Sequence, residues 1–269
     1  MEKHLKYKNL PVKFGFSLAY GPDMTLAEIA QLPSGRGLNA EVPGRFLEMK
    51  KALHALRRKG WGKFNAGEVI SANVTRGIAV QNDNIIRDFK REFFRLLNTA
   101  GLPVECAMVD LGLDEALHDA AFLAALTRLL RGMAMDLHMA NVRVALPFRI
   151  PNWNDGFSEF CLALRNQLML PQLCFSIDIH PHEIAGEAIA PAELLRWLKF
   201  DLGAIRFFYE PETGNHLVSK AITPWLDFLA TTAFEGQVTF CPRCQSVEIL
   251  AHEVAAIREL VTEIITSAR

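Results

Sequence analysis

"QLCFSIDIHPHE", residues 172–183, alternates an apolar set with a polar one before it breaks into a loop. Successive side chains of a strand point to opposite faces, so Ser176, Asp178 and His180 share one face while Phe175, Ile177 and Ile179 share the other. The proline at 181 ends the run, and His182 with Glu183 opens the loop that follows. A strand of this kind, buried on one face and carrying an aspartate and a histidine on the other, needs an apolar layer outside and an enclosed polar space inside.

Seven similar runs flank it. "VKFGFSLA" (12–19), "GLNAEV" (37–42), "NAGEVISANV" (65–74), "PVECAMVDL" (103–111) and "NVRVALPF" (141–148) precede it, and "LGAIRFFYE" (202–210) and "GQVTFC" (236–241) follow. Helical patterns lie between several of them. "GRFLEMKKALHALRRKG" starts at 44, and "NIIRDFKREFFRLLNTA" repeats Ile85, Ile86, Phe89, Phe93, Leu96 and Leu97 at helical spacing. A long helix spans 114–138 with Asp114 as its cap, and a closing helix lies near 246–267. Eight strands alternating with helices predict a parallel sheet, and eight is the number that closes. The alternative, an open doubly wound sheet, calls for a glycine-rich phosphate loop after an early strand, and the sequence has none. The expected architecture is therefore α/β, a single (β/α)8 TIM barrel over 1–269 with residues 1–11 as an N-terminal extension.

In such a barrel the apolar set of each strand packs on the outer helices, which turns Ser176, Asp178 and His180 inward. Chemistry belongs at the C-terminal strand ends and the loops beyond them. Asp178 and His180 are the acid/base candidates, since a carboxylate and an imidazole converging there suit proton transfer or a divalent metal. Glu68 and Asn73 at strand three, Asp110 at strand four, Arg149 after strand five, His182, and Arg206 with Glu210 on strand seven complete a polar pocket. Arginine in that position suits a carboxylate, a phosphate or sugar hydroxyls. A buried polar network that only fills the mouth would use the same residue types.

Composition bounds the partners. Half of the 269 residues are hydrophobic and 22% are charged, enough for one large core. With 29 Lys+Arg against 30 Asp+Glu the formal net charge is -1, which excludes a field strong enough to hold nucleic acid. The Lys50–Lys51 and Arg57–Arg58–Lys59 clusters read as a solvated helix face. "MEKHLKYKNL" contains no secretory apolar region, and no stretch reaches the roughly 18 apolar residues of a spanning helix, so no membrane partner is expected. Five cysteines, an odd number, point to reduced thiols in a cytoplasmic protein. "CPRC" at 241–244 has only 25 residues after Cys244, too few for a glutaredoxin-like domain, and one CxxC is half a zinc site. Cys241 is better read as a thiol lining the mouth.

Three stretches carry a family likeness. "LMLPQLCFSIDIHP", "LKFDLGAIRFFYEPETGN" and "ITPWLDFLATTAFEGQVTF" with "VEILAHEVAAIRELV" resemble the last strands and closing helix of the xylose isomerase-like barrels. That superfamily includes sugar isomerases and epimerases and metal-dependent apurinic-site endonucleases. The resemblance implies a divalent metal held by Glu, Asp, His and Glu from strands five to eight. Here the aspartate falls on Asp178, but the strand-five glutamate falls at Pro147, the strand-seven histidine at Phe207 or Phe208, and the strand-eight glutamate at Phe240 or Cys241. Most of the metal ligands are thus missing, and no cofactor is expected unless Glu210 or Cys241 rebuilds a site with Asp178 and His180. Two function classes follow. One is a divergent sugar isomerase/epimerase-like enzyme on a small sugar or polyol, with Asp178 and His180 catalytic and Glu68, Arg149, His182, Arg206, Glu210 and Cys241 at the substrate. The other is a degenerate barrel that binds a small ligand or a protein partner without turnover. An endonuclease lacks support in both ligands and charge, and the sequence leaves the oligomeric state open.

Overall fold

Eight parallel strands close on themselves in chain order in the computed structural model. It describes residues 12–67, 82–101, 103–111, 120–149, 155–180, 202–211 and 236–267, with the isolated positions 225, 226, 229 and 234. The strands are β1 (Lys13–Ser17), β2 (Asn39–Pro43), β3 (Phe64–Gly67), β4 (Val104–Met108), β5 (Arg143–Arg149), β6 (Leu173–Ile179), β7 (Leu202–Tyr209) and β8 (Gln237–Pro242). Seven helices are placed among the described residues: α1 (Leu26–Gln31), α2 (Gly44–Leu47), α3 (Lys50–Arg58), α4 (Asp83–Thr99), α5 (Ala120–Ala140), α6 (Asp155–Leu168) and α7 (Val247–Ser267). Pairing β1 to β8, with Gly15 opposite Thr239 and Phe16 opposite Phe240, shuts the ring. The expected barrel is the observed one.

Most of the wall divides its residues as the alternation requires, with register shifts at Phe64/Asn65 between β3 and β4 and at Phe175/Ser176 between β6 and β7. Phe14 and Phe16, Leu146 and Phe148, Phe175 and Ile177, Ile205 and Phe207, Val238 and Phe240 point outward into one continuous apolar layer with the helices. Seven phenylalanines in it (16, 46, 93, 148, 175, 207 and 240) are fully buried, each contributing roughly 1.5–3 kcal/mol by leaving water. β7 is buried along its whole length, as a strand covered on both faces must be.

Two helices, α1 and α4, start where the chain supplies a side-chain cap. Thr25 and Glu28 form a capping box on α1, and the Asn82 side chain accepts from the amides of Asn84 and Ile85 at the start of α4. The segment read as one helix from 44 is two. The amides of Glu48 and Met49 close three-residue turns to Arg45 and Phe46, and Met49 then leaves the helical region at φ −98°, ψ 69°. The chain restarts as α3 in a direction that buries Ala52, Leu53 and Leu56. Asp114 lies outside the described residues, as do 1–11.

Candidate functional site

Inside the wall, the inward residues stack by height. A small apolar group of Cys106, Met108, Ala145, Cys174 and Ala204 forms part of the lining. Beside it Gln237 accepts from the amides of Asn39 (2.9 Å) and Asn65 (3.1 Å) and donates to Thr239 (2.8 Å). Closer to the C-terminal ends, the inward positions become charged.

Arg206 is the centre of that upper level. Its Nε and Nη2 donate to the two oxygens of Asp178 at 2.7 and 2.6 Å, and Nη1 donates to the Tyr20 hydroxyl at 2.8 Å. Glu41 Oε1 lies 3.5 Å from Nη1 and accepts from Ser17 Oγ at 2.8 Å. The guanidinium carbon sits 5.1 Å from the centroid of Phe208 and 5.9 Å from that of Tyr20, near enough for each ring face to attract the charge. Register sets the ion pair: Asp178 on β6 is the direct neighbour of Arg206 on β7, with Arg149 on its other side. Gly67 makes room for Glu41, since a Cβ there would lie 2.7 Å from Ala19 Cβ and 3.1 Å from Glu41 Cγ.

Above the pair opens a cavity of about 250 Å³, lined by Tyr20, Met108, Asp110, Pro147, Phe148, Arg149, Asp178, His180, Arg206, Phe208 and Arg243. His180 stacks on Phe208, centroids 4.9 Å apart and planes 10° from parallel. The Asp178 side chain is 13% exposed and that of Arg206 only 3%, so the carboxylate opens on the cavity while the guanidinium lies beneath it. A larger hollow of about 1050 Å³ lies outside the barrel between α1 and α3, but it is mainly apolar and gathers no convergent set of buried polar groups.

Burial pushes the Asp178 carboxyl up to about 6, and Arg206 keeps it from rising further. For Arg206 burial opposes the charge, yet Asp178, Glu41 and Tyr20 together hold the guanidinium well above its ordinary value. The pair is therefore ionised near neutral pH, with its carboxylate close enough to that range to accept a proton. Burial drives the Tyr20 hydroxyl far up. It also raises the Cys241 thiol, and raises that of Cys244 to about 12, so neither half of "CPRC" carries thiolate character.

The structure brings Asp178, His180, Arg149 and Arg206 to one cavity, with Asp110 on its wall. Cys241 does not line it. The residue faces inward but is fully buried, with Ser17, Glu41 and Arg206 as its electrostatic neighbours. Glu210 follows the last residue of β7 and stands half-exposed at the rim, 3.9 Å from Arg243. Glu68, Asn73, His182 and Glu183 lie outside the described residues. Sequence reading passed over Tyr20, Glu41, Phe208 and Arg243 as site components. Glu41 had a signal, a charged residue at an inward position near a strand's end; Tyr20 and Arg243 lie beyond strand ends, where alternation gives no direction.

The four-ligand metal set of the resembled barrels can be tested on these faces. Phe207 and Phe240 point into the outer layer, which leaves Phe208 and Cys241 as the inward positions beside Pro147. None supplies a hard oxygen or an imidazole, and Asp178 has both oxygens on a guanidinium. Among the described residues no three of His, Cys, Asp and Glu are grouped to hold a metal ion. The residues present do not fit that centre.

No protein-family model matches the chain, and no curated protein matches it. Solved structures do. D-psicose 3-epimerase with D-tagatose from Clostridium cellulolyticum H10 aligns over 94% of this chain and 99% of its own, at TM-score 0.67 and 14% identity. An AP endonuclease, family 2, from Brucella melitensis aligns over 91% and 98%, at TM-score 0.62 and 14% identity. A xylose isomerase-like TIM barrel/4-hydroxyphenylpyruvate dioxygenase fusion protein aligns over 94% of this chain and 43% of its own, at TM-score 0.56 and 9% identity. At such identities the likeness is one of fold, and it agrees with the closed eight-strand ring: this chain shares the (β/α)8 TIM-barrel fold of those structures.

Proposed function

We propose that the chain is a divergent sugar isomerase/epimerase-like barrel that acts on a small sugar or polyol at the C-terminal mouth. The observation that carries the reading is Asp178: a carboxyl raised to about 6 by burial, fixed by Arg206 and open to a small polar cavity that His180 also lines. A base for a carbon acid needs a value near the working pH and a held geometry, and Asp178 has both. In the reaction Asp178 would take the proton from the carbon beside a carbonyl, leaving an enediolate. His180 would return a proton to the other face of the same carbon, giving the epimer. Returned instead to the former carbonyl carbon, while the hydroxyl proton of the first carbon passes to the former carbonyl oxygen, it would give the isomer. Arg149 and Arg243 at the cavity wall and Glu210 at the rim, with the sequence candidates Glu68 and His182 that lie outside the described residues, would hold hydroxyls or the developing oxyanion.

A second reading has its own observation. Both Asp178 oxygens already accept from Arg206, as they would in a mouth built to bind a ligand without turnover. Each oxygen keeps a second lone pair, which is why proton transfer remains open to it. The two readings part on one experiment, a panel of aldoses and ketoses assayed for interconversion with wild type and Asp178→Asn. The enzyme reading expects turnover that the variant abolishes, with ligand affinity kept within about tenfold, or about 1.4 kcal/mol. Binding by calorimetry without interconversion, across pH and added metals, would establish the binding-barrel reading instead.

A further inference from the structure

Two carboxylates from different strands, Asp178 of β6 and Glu41 of β2, converge on a single guanidinium. Arg206 reaches them from β7 with a bidentate grip on one through Nε and Nη2, while Nη1 approaches the other at 3.5 Å and donates to Tyr20. Nearby, Glu41 Oε2 is buried and has no hydrogen-bond partner among the described residues. A buried carboxylate oxygen left without a donor is costly, so it marks a place where the charge balance is incomplete without a cation. Hard divalent ions take such oxygens at roughly 2.0–2.6 Å, but here an ion would enter beside a fixed positive charge that already fills the centre.

We infer that the Arg206 guanidinium is the resident cation of this barrel: it holds the Asp178 and Glu41 carboxylates that would otherwise receive a divalent ion, and it thereby closes the mouth to metal. The same role accounts for the inward positions Pro147, Phe208 and Cys241, which have no ion to ligate. Phe208 instead offers its ring face to the guanidinium. The arrangement also fixes where a divalent ion would bind if the guanidinium were taken away, at Asp178, Glu41 Oε2 and the Tyr20 hydroxyl. A methionine at 206 keeps most of the side chain's bulk and removes its charge and donors.

The test is a Mn²⁺ titration of the full chain, read by calorimetry and by thermal melting, on wild type, Arg206→Lys, Arg206→Met and the double variant Arg206→Met with Asp178→Asn. Wild type and Arg206→Lys should show no saturable binding and no shift in Tm. Arg206→Met should show saturable binding of about one Mn²⁺ per chain, with a Tm that rises with Mn²⁺, or a fold that forms only when Mn²⁺ is added. The double variant should lose that gain. Stoichiometric Mn²⁺ on wild type, with a Tm that falls on chelation, would overturn the inference. So would an Arg206→Met chain that binds no better than wild type, or that stays unfolded at every Mn²⁺ concentration. None of these measurements reads turnover, so the inference and the isomerase reading fail separately.

Discussion

The outer and inner faces of this barrel's wall are built from alternate residues of the same strands, yet they hold together by different means. Outside, Phe16, Ile177, Phe207 and Phe240 join one apolar layer whose members are interchangeable in kind. Inside, most polar residues have a named partner: Asp178 with Arg206, Ser17 with Glu41, Gln237 with Asn39, Asn65 and Thr239. Apolar burial is non-directional and roughly proportional to area, so the outer layer tolerates independent change. Hydrogen-bonded charges in a low-dielectric interior are strongly coupled, so the inner face does not.

The difference should be largest at Arg206. Arg206→Met alone strands two buried carboxylates and should cost about 3–5 kcal/mol, whereas replacing Arg206 and Asp178 together by Met and Leu should recover the part of that loss due to Asp178, with Glu41 still without its cation. In the outer layer Phe93→Ala and Phe240→Ala, on elements that belong to opposite sides of the ring, should each cost about 3–5 kcal/mol and add within about 0.5 kcal/mol. Denaturant titrations of both double-mutant cycles decide the matter, and an additive result at 178/206 would erase the contrast.

Gln237→Ala comes next. It removes the acceptor of two asparagine side chains and a donor to Thr239, so chemical unfolding should show a loss of about 1–3 kcal/mol. A pH profile sharpens the contrast at the mouth. With the Asp178 carboxyl at about 6, its base form disappears as pH falls through that value, so under the proposed isomerase reading the rate should drop about tenfold per unit below it. An acidic limb at pH 4, the value of an ordinary exposed carboxylate, would show that Asp178 is not the base. The smallest effect belongs to Ser176, whose hydroxyl is buried and has no partner among the described residues. Ser176→Ala should change stability by about 0–1 kcal/mol in the favourable direction, measurable as a small rise in Tm.

The same contrast explains what the sequence disclosed. Alternation in "FSIDI" and its counterparts locates the outer layer because apolar residues announce the buried face, and it places Asp178 inward by subtraction. It says nothing about which inward residues meet across the ring. Tyr20 and Arg206 are 186 positions apart and Glu41 comes from a third strand, so their convergence depends on closure and register rather than on local pattern. The likeness to the sugar-isomerase barrels pointed to an incomplete ligand set. It could not show that an arginine one step before Phe207 fills the centre.

Gln237 gives the barrel a direction in time. Its side chain joins Asn39 and Asn65, which precede it by 198 and 172 positions, and its strand closes the ring against β1. A chain emerging from the ribosome has made β1 to β7 before that partner exists. Until residue 237 and its strand are out, the growing sheet keeps two open edges and the inner asparagines lack their acceptor. Closure is thus necessarily a late event in the life of each newly made molecule. A chain cut short before β8 would remain an open, edge-exposed sheet, the kind of surface on which strands of neighbouring chains pair.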